Sequence, residues 1–256
     1  MSKKVLILSG SPRRNGNSDI LCDEFMRGAK EAGNDVEKIR VADKKIGYCT
    51  GCYYCQKSEG ECSIKDDMAE VLQKMIDADV IVLSSPVYFY SIDAQLKAVI
   101  DRTVCRWLEV KNKEFYYIVT CADEDRKSQE RTIECFRGYA DCVEGAVEKG
   151  IVYGTGVYQK GEVTDTPAMK EAYEMGLSVN RRQRSRNDPG ILFFKQKVKR
   201  GGSPRLKFIL SSSSRQGTSA SRIWLRKVLP SWVLPRSSGP VSQPRSARRS
   251  GCSCPS

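Results

Sequence analysis

Four short apolar runs without alternation constrain this chain more than any other feature: Val5-Leu6-Ile7-Leu8, Val80-Ile81-Val82-Leu83, Tyr116-Tyr117-Ile118-Val119 and Ile151-Val152-Tyr153. A sheet with one wet face makes every second residue polar. A continuous run belongs to a strand covered on both faces, as in a parallel sheet flanked by helices. A weaker stretch, Asp35 to Val41, reads as an edge strand. Helical periodicity fills the gaps. Leu21, Phe25, Gly28, Ala29 and Ala32 share one face, as do Met68, Val71, Leu72, Met75 and Ile76, and then Leu96, Val99, Ile100, Thr103 and Val104. Further helices are expected over 128–147 and 169–177. Asp67 with Glu70 three residues on predicts a capping pair for the second helix. Strands alternating with helices predict a doubly wound α/β domain.

Charge divides the chain in two. The whole carries +12, from 43 basic and 31 acidic residues. From Asn180 onward there are 18 Lys and Arg and one acid, Asp188, so residues 1–179 are mildly acidic. We therefore expect an α/β domain over 1–179, long enough to bury a core of its own. A basic low-complexity tail over 180–256, rich in Arg, Ser, Pro and Gly, is expected to be disordered. Its abrupt change in composition also suits translated out-of-frame sequence. A nucleic-acid-binding arm is the functional alternative, but no groove-reading motif accompanies the charge, and none is expected of the folded domain.

Met1-Ser2-Lys3-Lys4 leads straight into the first run, and no apolar stretch reaches membrane-spanning length, so neither a secretory leader nor a membrane span is expected. Eleven cysteines, an odd number, suit reduced thiols in the cytoplasm better than secreted disulfides. Histidine is absent, which excludes Ser-His-Asp and Cys-His catalysis.

Two segments at strand ends carry binding chemistry. The first run ends in Ser9-Gly10-Ser11-Pro12-Arg13-Arg14-Asn15-Gly16-Asn17-Ser18. Hydroxyls, backbone N–H groups and arginines at a helix N-terminus suit a phosphate. The loop lacks the Lys-Ser/Thr of a triphosphate loop and the G-x-G-x-x-G of a dinucleotide fold, so a phosphate monoester such as that of FMN fits it better. Ser84-Ser85-Pro86-Val87-Tyr88-Phe89-Tyr90-Ser91 follows the second run. Its apolar, aromatic residues offer flat walls for an isoalloxazine, unless they only pack the core. Ligands of open α/β sheets sit at such carboxyl ends.

Cys49, Cys52, Cys55 and Cys62 follow the pattern C-x2-C-x2-C-x6-C. Such spacing lets neighbouring thiolates meet at one centre. A [4Fe–4S] cluster, a zinc ion, a redox thiol pair or no metal at all remain open. Cys22, Cys105, Cys121, Cys135 and Cys142 are scattered and read as small core residues.

The motifs together resemble the NAD(P)H-dependent FMN reductase branch of the flavodoxin-like fold. They are Gly10-Ser11-Pro12-Arg13 with Gly16-Asn17-Ser18, Ser85-Pro86-Val87-Tyr88, and Gln95-Leu96-Lys97 with Asp101-Arg102. Cys49-Thr50-Gly51-Cys52, Cys55, Gly60, Cys62 and Asp66-Asp67-Met68 resemble its iron–sulfur flavoprotein subgroup. The resemblance spans about residues 3–178. It implies a flavodoxin-like, doubly wound, five-stranded parallel sheet of order 2-1-3-4-5. It implies that Ser9, Ser11, Pro12, Arg13, Asn17 and Ser18 hold the FMN phosphate. Pro86, Val87, Tyr88, Phe89, Tyr90 and Ser91 would line the ring, with Thr120 and its acidic continuation as a third flavin loop. The four cysteines would hold the cluster. The implied activity is electron transfer from NAD(P)H through FMN to a small acceptor such as a quinone or a flavin, in a homo-oligomer. A ferredoxin-linked electron carrier and a cysteine-loop redox or metal sensor are the alternatives.

Overall fold

A computed structural model describes residues 2–180. The tail, expected to be disordered, lies outside the described residues from 181 on.

Each continuous apolar run is a strand. Five strands, β1 (Lys4–Ser9), β2 (Asp35–Arg40), β3 (Val80–Pro86), β4 (Glu114–Thr120) and β5 (Val147–Gly154), form one parallel sheet in the order β2-β1-β3-β4-β5. This is the expected flavodoxin-like topology. The weak fifth stretch is the edge strand β2, where only Ile39 is buried. The central β1, β3 and β4 are buried almost throughout.

Helices cover both faces. Here α1 (Asn17–Glu31) and α5 (Pro167–Leu177) pack on one side, against Val5, Ile7, Val82, Tyr116 and Ile118. They approach closely because neither carries a side chain where they cross. A Cβ on Gly28 would lie 2.1 Å from Tyr173 O, and one on Gly176 would lie 2.1 Å from Phe25 O. On the other side are α2 (Met68–Asp77), α3 (Ala94–Arg102) and α4 (Glu130–Ala140), over Leu6, Leu8, Leu83, Phe115 and Tyr117.

Two local expectations fail. The helix expected over 128–147 is shorter: α4 stops at Ala140, and Val147 already belongs to β5. Gly145 turns the chain with φ 70°, and Asn112 Oδ1 occupies the space a Cβ would need. Asp67 does not cap α2 with its side chain. Its Oδ2 instead accepts from Lys45 N at 2.7 Å, and Met68 N donates to Asp66 Oδ1 at 3.1 Å.

Candidate functional site

The carboxyl ends of β1, β3 and β4 bring three loops together. After β1 the chain turns through residues 10–16 into α1. Gly10 N donates to Ser84 O at 2.9 Å, which fixes this loop to β3. Val87 N donates to Thr120 O at 2.9 Å, which fixes the second loop to β4. Ser84 and Ser85 are fully buried, and Ser85 Oγ donates to Asp93 Oδ2 at 2.7 Å. Asp93 also caps α3, accepting from Leu96 N at 2.9 Å.

Within the first loop, Ser9, Ser11, Asn17 and Ser18 are buried, whereas Pro12 and Arg13 are exposed. Ser9 Oγ donates to Asp19 Oδ1 at 3.1 Å, and Asn15 N donates to Asp19 Oδ2 at 3.0 Å. Asn17 faces the segment after β5: its Nδ2 donates to Gln159 O at 2.8 Å, and its Oδ1 accepts from Gly161 N at 3.0 Å. Arg13 Nη1 reaches the same segment at Tyr158 O, 3.1 Å away.

Sequence reasoning missed the charges behind this loop. Asp19 is 2% exposed and pairs with Lys38 Nζ at 3.1 Å and Arg40 Nε at 3.5 Å; Lys38 also pairs with Asp23. Arg40 Nη2 donates to Ser11 O at 3.4 Å, while its buried Nε and Nη1 have no hydrogen-bond partner. Each faces a carboxylate only at ion-pair distance, Nε 3.5 Å from Asp19 Oδ2 and Nη1 3.8 Å from Asp43 Oδ2, and a guanidinium so loosely satisfied behind a serine-rich turn fits an anion such as a phosphate. The available signal was the two-residue spacing of Lys38 and Arg40, which puts both on one face of β2.

The aromatic segment is not the buried turn that core packing would make. Tyr88 and Ser91 close it with reciprocal backbone bonds of 3.0 Å. Phe89 and Tyr90 take positive φ, 50° and 60°, and Phe89 is fully exposed. Tyr88 and Tyr90 are also exposed, and the Arg131 guanidinium lies 5.4 Å from the Tyr90 ring. Pro86, Val87 and Ser91 are half-buried. Thr120 is buried at the end of β4, and Cys121 N after it donates to Gly154 O at 2.9 Å.

The cysteine loop runs between β2 and α2. Cys49 and Cys52 are exposed, and Cys55 and Cys62 half-buried. Gly51, Tyr53, Glu59 and Gly60 all take positive φ, so the loop folds tightly on itself. Cys52 Sγ lies 3.4 Å from Ser63 Oγ, and this hydrogen bond holds the Cys52 thiol below its ordinary pKa. Burial raises the Cys55 thiol, and the charges of Cys62, Cys49 and Cys52 add to that. Cys105 is raised by burial and by the charges of Cys62 and Cys55, so a fifth thiol lies beside the loop. The expectation that Cys105 is a plain core residue needs that amendment. Cys142 is exposed rather than buried, Cys121 and Cys135 are half-buried, and Cys22 alone of the scattered five is fully buried. Among the described residues no three Cys, Asp or Glu side chains converge closely enough to hold a metal ion. In kind, however, the donors fit an iron–sulfur cluster: four soft thiols with no competing histidine.

Known proteins resemble this chain. The model of the NADPH-dependent FMN reductase family matches residues 3–132. An iron–sulfur flavoprotein of Archaeoglobus fulgidus is 34% identical over 181 residues, covering 69% of this chain and 78% of the relative. An iron–sulfur flavoprotein of Methanocaldococcus jannaschii is 48% identical over 100 residues, 39% of this chain. In that second match the chain spans about half the relative's length, 51%. The fold is similar to that of an NAD(P)H:quinone oxidoreductase from Methanothermobacter marburgensis, with a TM-score of 0.58 at 16% identity over 72% of this chain and 98% of that one. From the matched family, the curated relative covered over most of its length and the sheet that carries these loops, it follows that the chain belongs to the NADPH-dependent FMN reductase family.

Proposed function

We propose that residues 1–179 form an FMN-dependent oxidoreductase that takes electrons from NAD(P)H and delivers them to a small acceptor such as a quinone or a free flavin. The observation that carries this reading is the meeting of the serine-rich turn, the exposed aromatic turn and Thr120 at the carboxyl ends of β1, β3 and β4. There a ligand can have its anionic end in one loop and its planar end against another.

Ser9, Ser11, Pro12, Arg13, Asn17 and Ser18 would hold the FMN phosphate, with the N-terminus of α1 favouring its charge. Arg40 stands behind them, its Nε and Nη1 ion-paired to Asp19 and Asp43 but not hydrogen-bonded. Pro86 to Ser91 and Thr120 would hold the ring and keep water from one side of it. When bound, FMN supplies the coupling between a two-electron donor and one- or two-electron acceptors. Cys49, Cys52, Cys55 and Cys62 would hold a [4Fe–4S] cluster, a reading supported by their donor chemistry and by the relatives' names. The exposed Tyr88, Phe89 and Tyr90 favour a homo-oligomer in which a second subunit covers them. Among the described residues no helix is long and apolar enough to cross a membrane, and the cysteines form no disulfide. A cytoplasmic setting, where thiols stay reduced, is part of this proposal.

The cysteine loop favours a second reading, a ferredoxin-linked electron carrier. The two separate in one experiment on the full chain purified without oxygen. Its visible spectrum, iron and sulfide content are recorded, and NADPH is then added under argon. Rapid bleaching of the flavin band supports the reductase. No bleaching with NADPH, but reduction by reduced ferredoxin, supports the carrier. Colourless protein that refuses added FMN overturns both.

A further inference from the structure

The largest fully buried side chain among the described residues is a charged one, Arg102, at the end of α3. A guanidinium has five N–H donors. Four of them are spent on the two ends of the cysteine loop. Nη1 donates to Gly47 O and to Asp66 Oδ2, both at 2.8 Å. Nη2 donates to Ile64 O at 3.3 Å and to Asp66 Oδ1 at 2.9 Å. Gly47 precedes the first cysteine, and Ile64 and Asp66 follow the last. Asp66 tightens the same closure by accepting from Gly47 N at 2.8 Å.

The fifth donor, Nε–H, is buried and has no partner. An orphaned donor of a charged group is costly, so its persistence asks for an acceptor. Two sulfurs lie near: Cys105 Sγ donates to Arg102 O at 3.3 Å, which leaves Cys62 as the acceptor for the side chain. Arg102, Cys62 and Cys105 line one cleft of about 450 Å³, with Ile64, Met68 and Leu72 as its apolar wall. Burial lowers the Arg102 pKa, but Asp66 and then Cys62 outweigh it and hold the guanidinium charged. Buried ion pairs add little net stability. Their worth here is geometric: one rigid fork sets the span of a loop that otherwise has left-handed turns and few core side chains.

We propose that Arg102 is the positioning residue of the cysteine loop, clamping both its ends and keeping Nε–H for the sulfur of Cys62 when that sulfur is a metal-bound thiolate. The clamp stands on the hydrogen bonds alone; the role of Nε rests on the cluster reading above. A donor to a ligand sulfur stabilises the reduced, more negative cluster and raises its potential. Lysine keeps the charge but has neither the planar fork nor Nε.

The test uses the full chain carrying R102K, with D66N as a second variant should R102K not fold. Amide exchange is measured on the metal-free protein. The midpoint potential is measured by EPR-monitored titration after anaerobic loading with iron and sulfide. In the variant, exchange across 47–66 is expected to rise about tenfold or more, the effect of losing one charge-assisted bond, while β1 and β3 stay protected. The loaded variant's potential is expected to move to more negative values. Unchanged exchange across 47–66 overturns the clamp. A loaded variant with unaltered potential overturns the role of Nε. If the unaltered chain takes up no iron, the cluster reading and the role of Nε fail together, and exchange in the metal-free variant still decides the clamp.

Discussion

Gly10 lies directly against Asp93: a Cβ added to Gly10 would sit 2.1 Å from Asp93 Oδ2 and 2.8 Å from Cγ. Gly10 belongs to the turn after β1, and Asp93 follows the aromatic turn after β3, so the two candidate flavin loops touch here without room for a methyl group. Asp93 cannot retreat. It is 1% exposed and holds Leu96 N and Ser85 Oγ. Gly10→Ala is therefore expected to destabilise the fold by ~1–3 kcal/mol, the usual cost of overpacking, and to weaken FMN binding by spreading the loops. Urea unfolding and flavin fluorescence titration measure the two effects. A variant as stable as the parent, with the same FMN affinity, contradicts the close fit.

Asp93 also makes a pH prediction. Burial raises its carboxyl above the ordinary range, and the donors from Leu96 and Ser85 offset only part of that. The folded chain therefore holds this proton more tightly than the unfolded chain does. Below the ordinary Asp value of about 4 the group costs nothing. As pH rises from there through the raised folded value, the unfolded chain ionises first and stability falls, levelling off above the folded value. Asp93→Asn keeps a good N-cap residue and has no proton to lose. Subtracting its stability profile from that of the parent should leave a decline with rising pH across this window. A flat difference, or one that climbs, would rule out the raised carboxyl.

Much of this fold was legible because strands covered on both faces lose their alternation. That is why β1, β3 and β4 stand out, and why β2, with four of its six residues charged, reads as an edge. The end of α4 was not legible. Val143 and Val147 continue the spacing of Ile133, Phe136 and Ala140, and only the Gly145 turn against Asn112 separates helix from strand. The capping pair Asp67 and Glu70 failed for a similar reason. Glu70 pairs with Lys44 at 2.8 Å, and Asp67 takes Lys45 N, partners that no local spacing reveals. The same holds at the candidate site. The serines of the first loop announce themselves, whereas Arg40 reaches them only because β2 lies beside β1 in the sheet.

Asp19, buried in the first turn of α1, is expected to matter more for stability than an acidic residue at a helix start usually does. It neutralises Lys38 and Arg40, whose side chains are 15% and 11% exposed. Burial lowers the Lys38 pKa, but hydrogen bonds to Asp23 and Asp19 outweigh this and keep it charged. Asp19→Ala takes a carboxylate from two half-buried cations, leaving Lys38 to Asp23 and Arg40 to Asp43, and also frees Ser9 Oγ and Asn15 N. Breaking a buried ion pair from one side costs ~3–5 kcal/mol. Chemical denaturation should show a loss of that order. Replacing Asp19 and Lys38 together by apolar residues should restore part of it, because the uncompensated charge is then removed. A loss under ~1 kcal/mol for Asp19→Ala would mean that water reaches and screens these charges.

The aromatic turn holds two side chains in a backbone conformation that they disfavour. A tight turn with positive φ at both central residues is the preferred place for Asn-Gly, and here it carries Phe89 and Tyr90. Each such residue costs on the order of 1 kcal/mol relative to glycine or asparagine. Burial among the described residues does not offset the cost, since Phe89 is fully exposed. Among the described residues a compensation is Arg131 over the Tyr90 ring, worth ~0.5–1 kcal/mol at an exposed site. The double variant Phe89→Asn, Tyr90→Gly should therefore raise stability by ~1 kcal/mol net, seen as a higher melting temperature of flavin-free protein. If these aromatics serve the flavin or a covering subunit, the same change should weaken FMN binding or dimerisation, and the stability gained is the measure of what the natural turn gives up for function. Flavin titration and sedimentation velocity read both at once. A more stable variant with unchanged FMN affinity and unchanged oligomeric state would remove the exposed aromatics from the proposed site and leave the serine turn and Thr120 as its only supports.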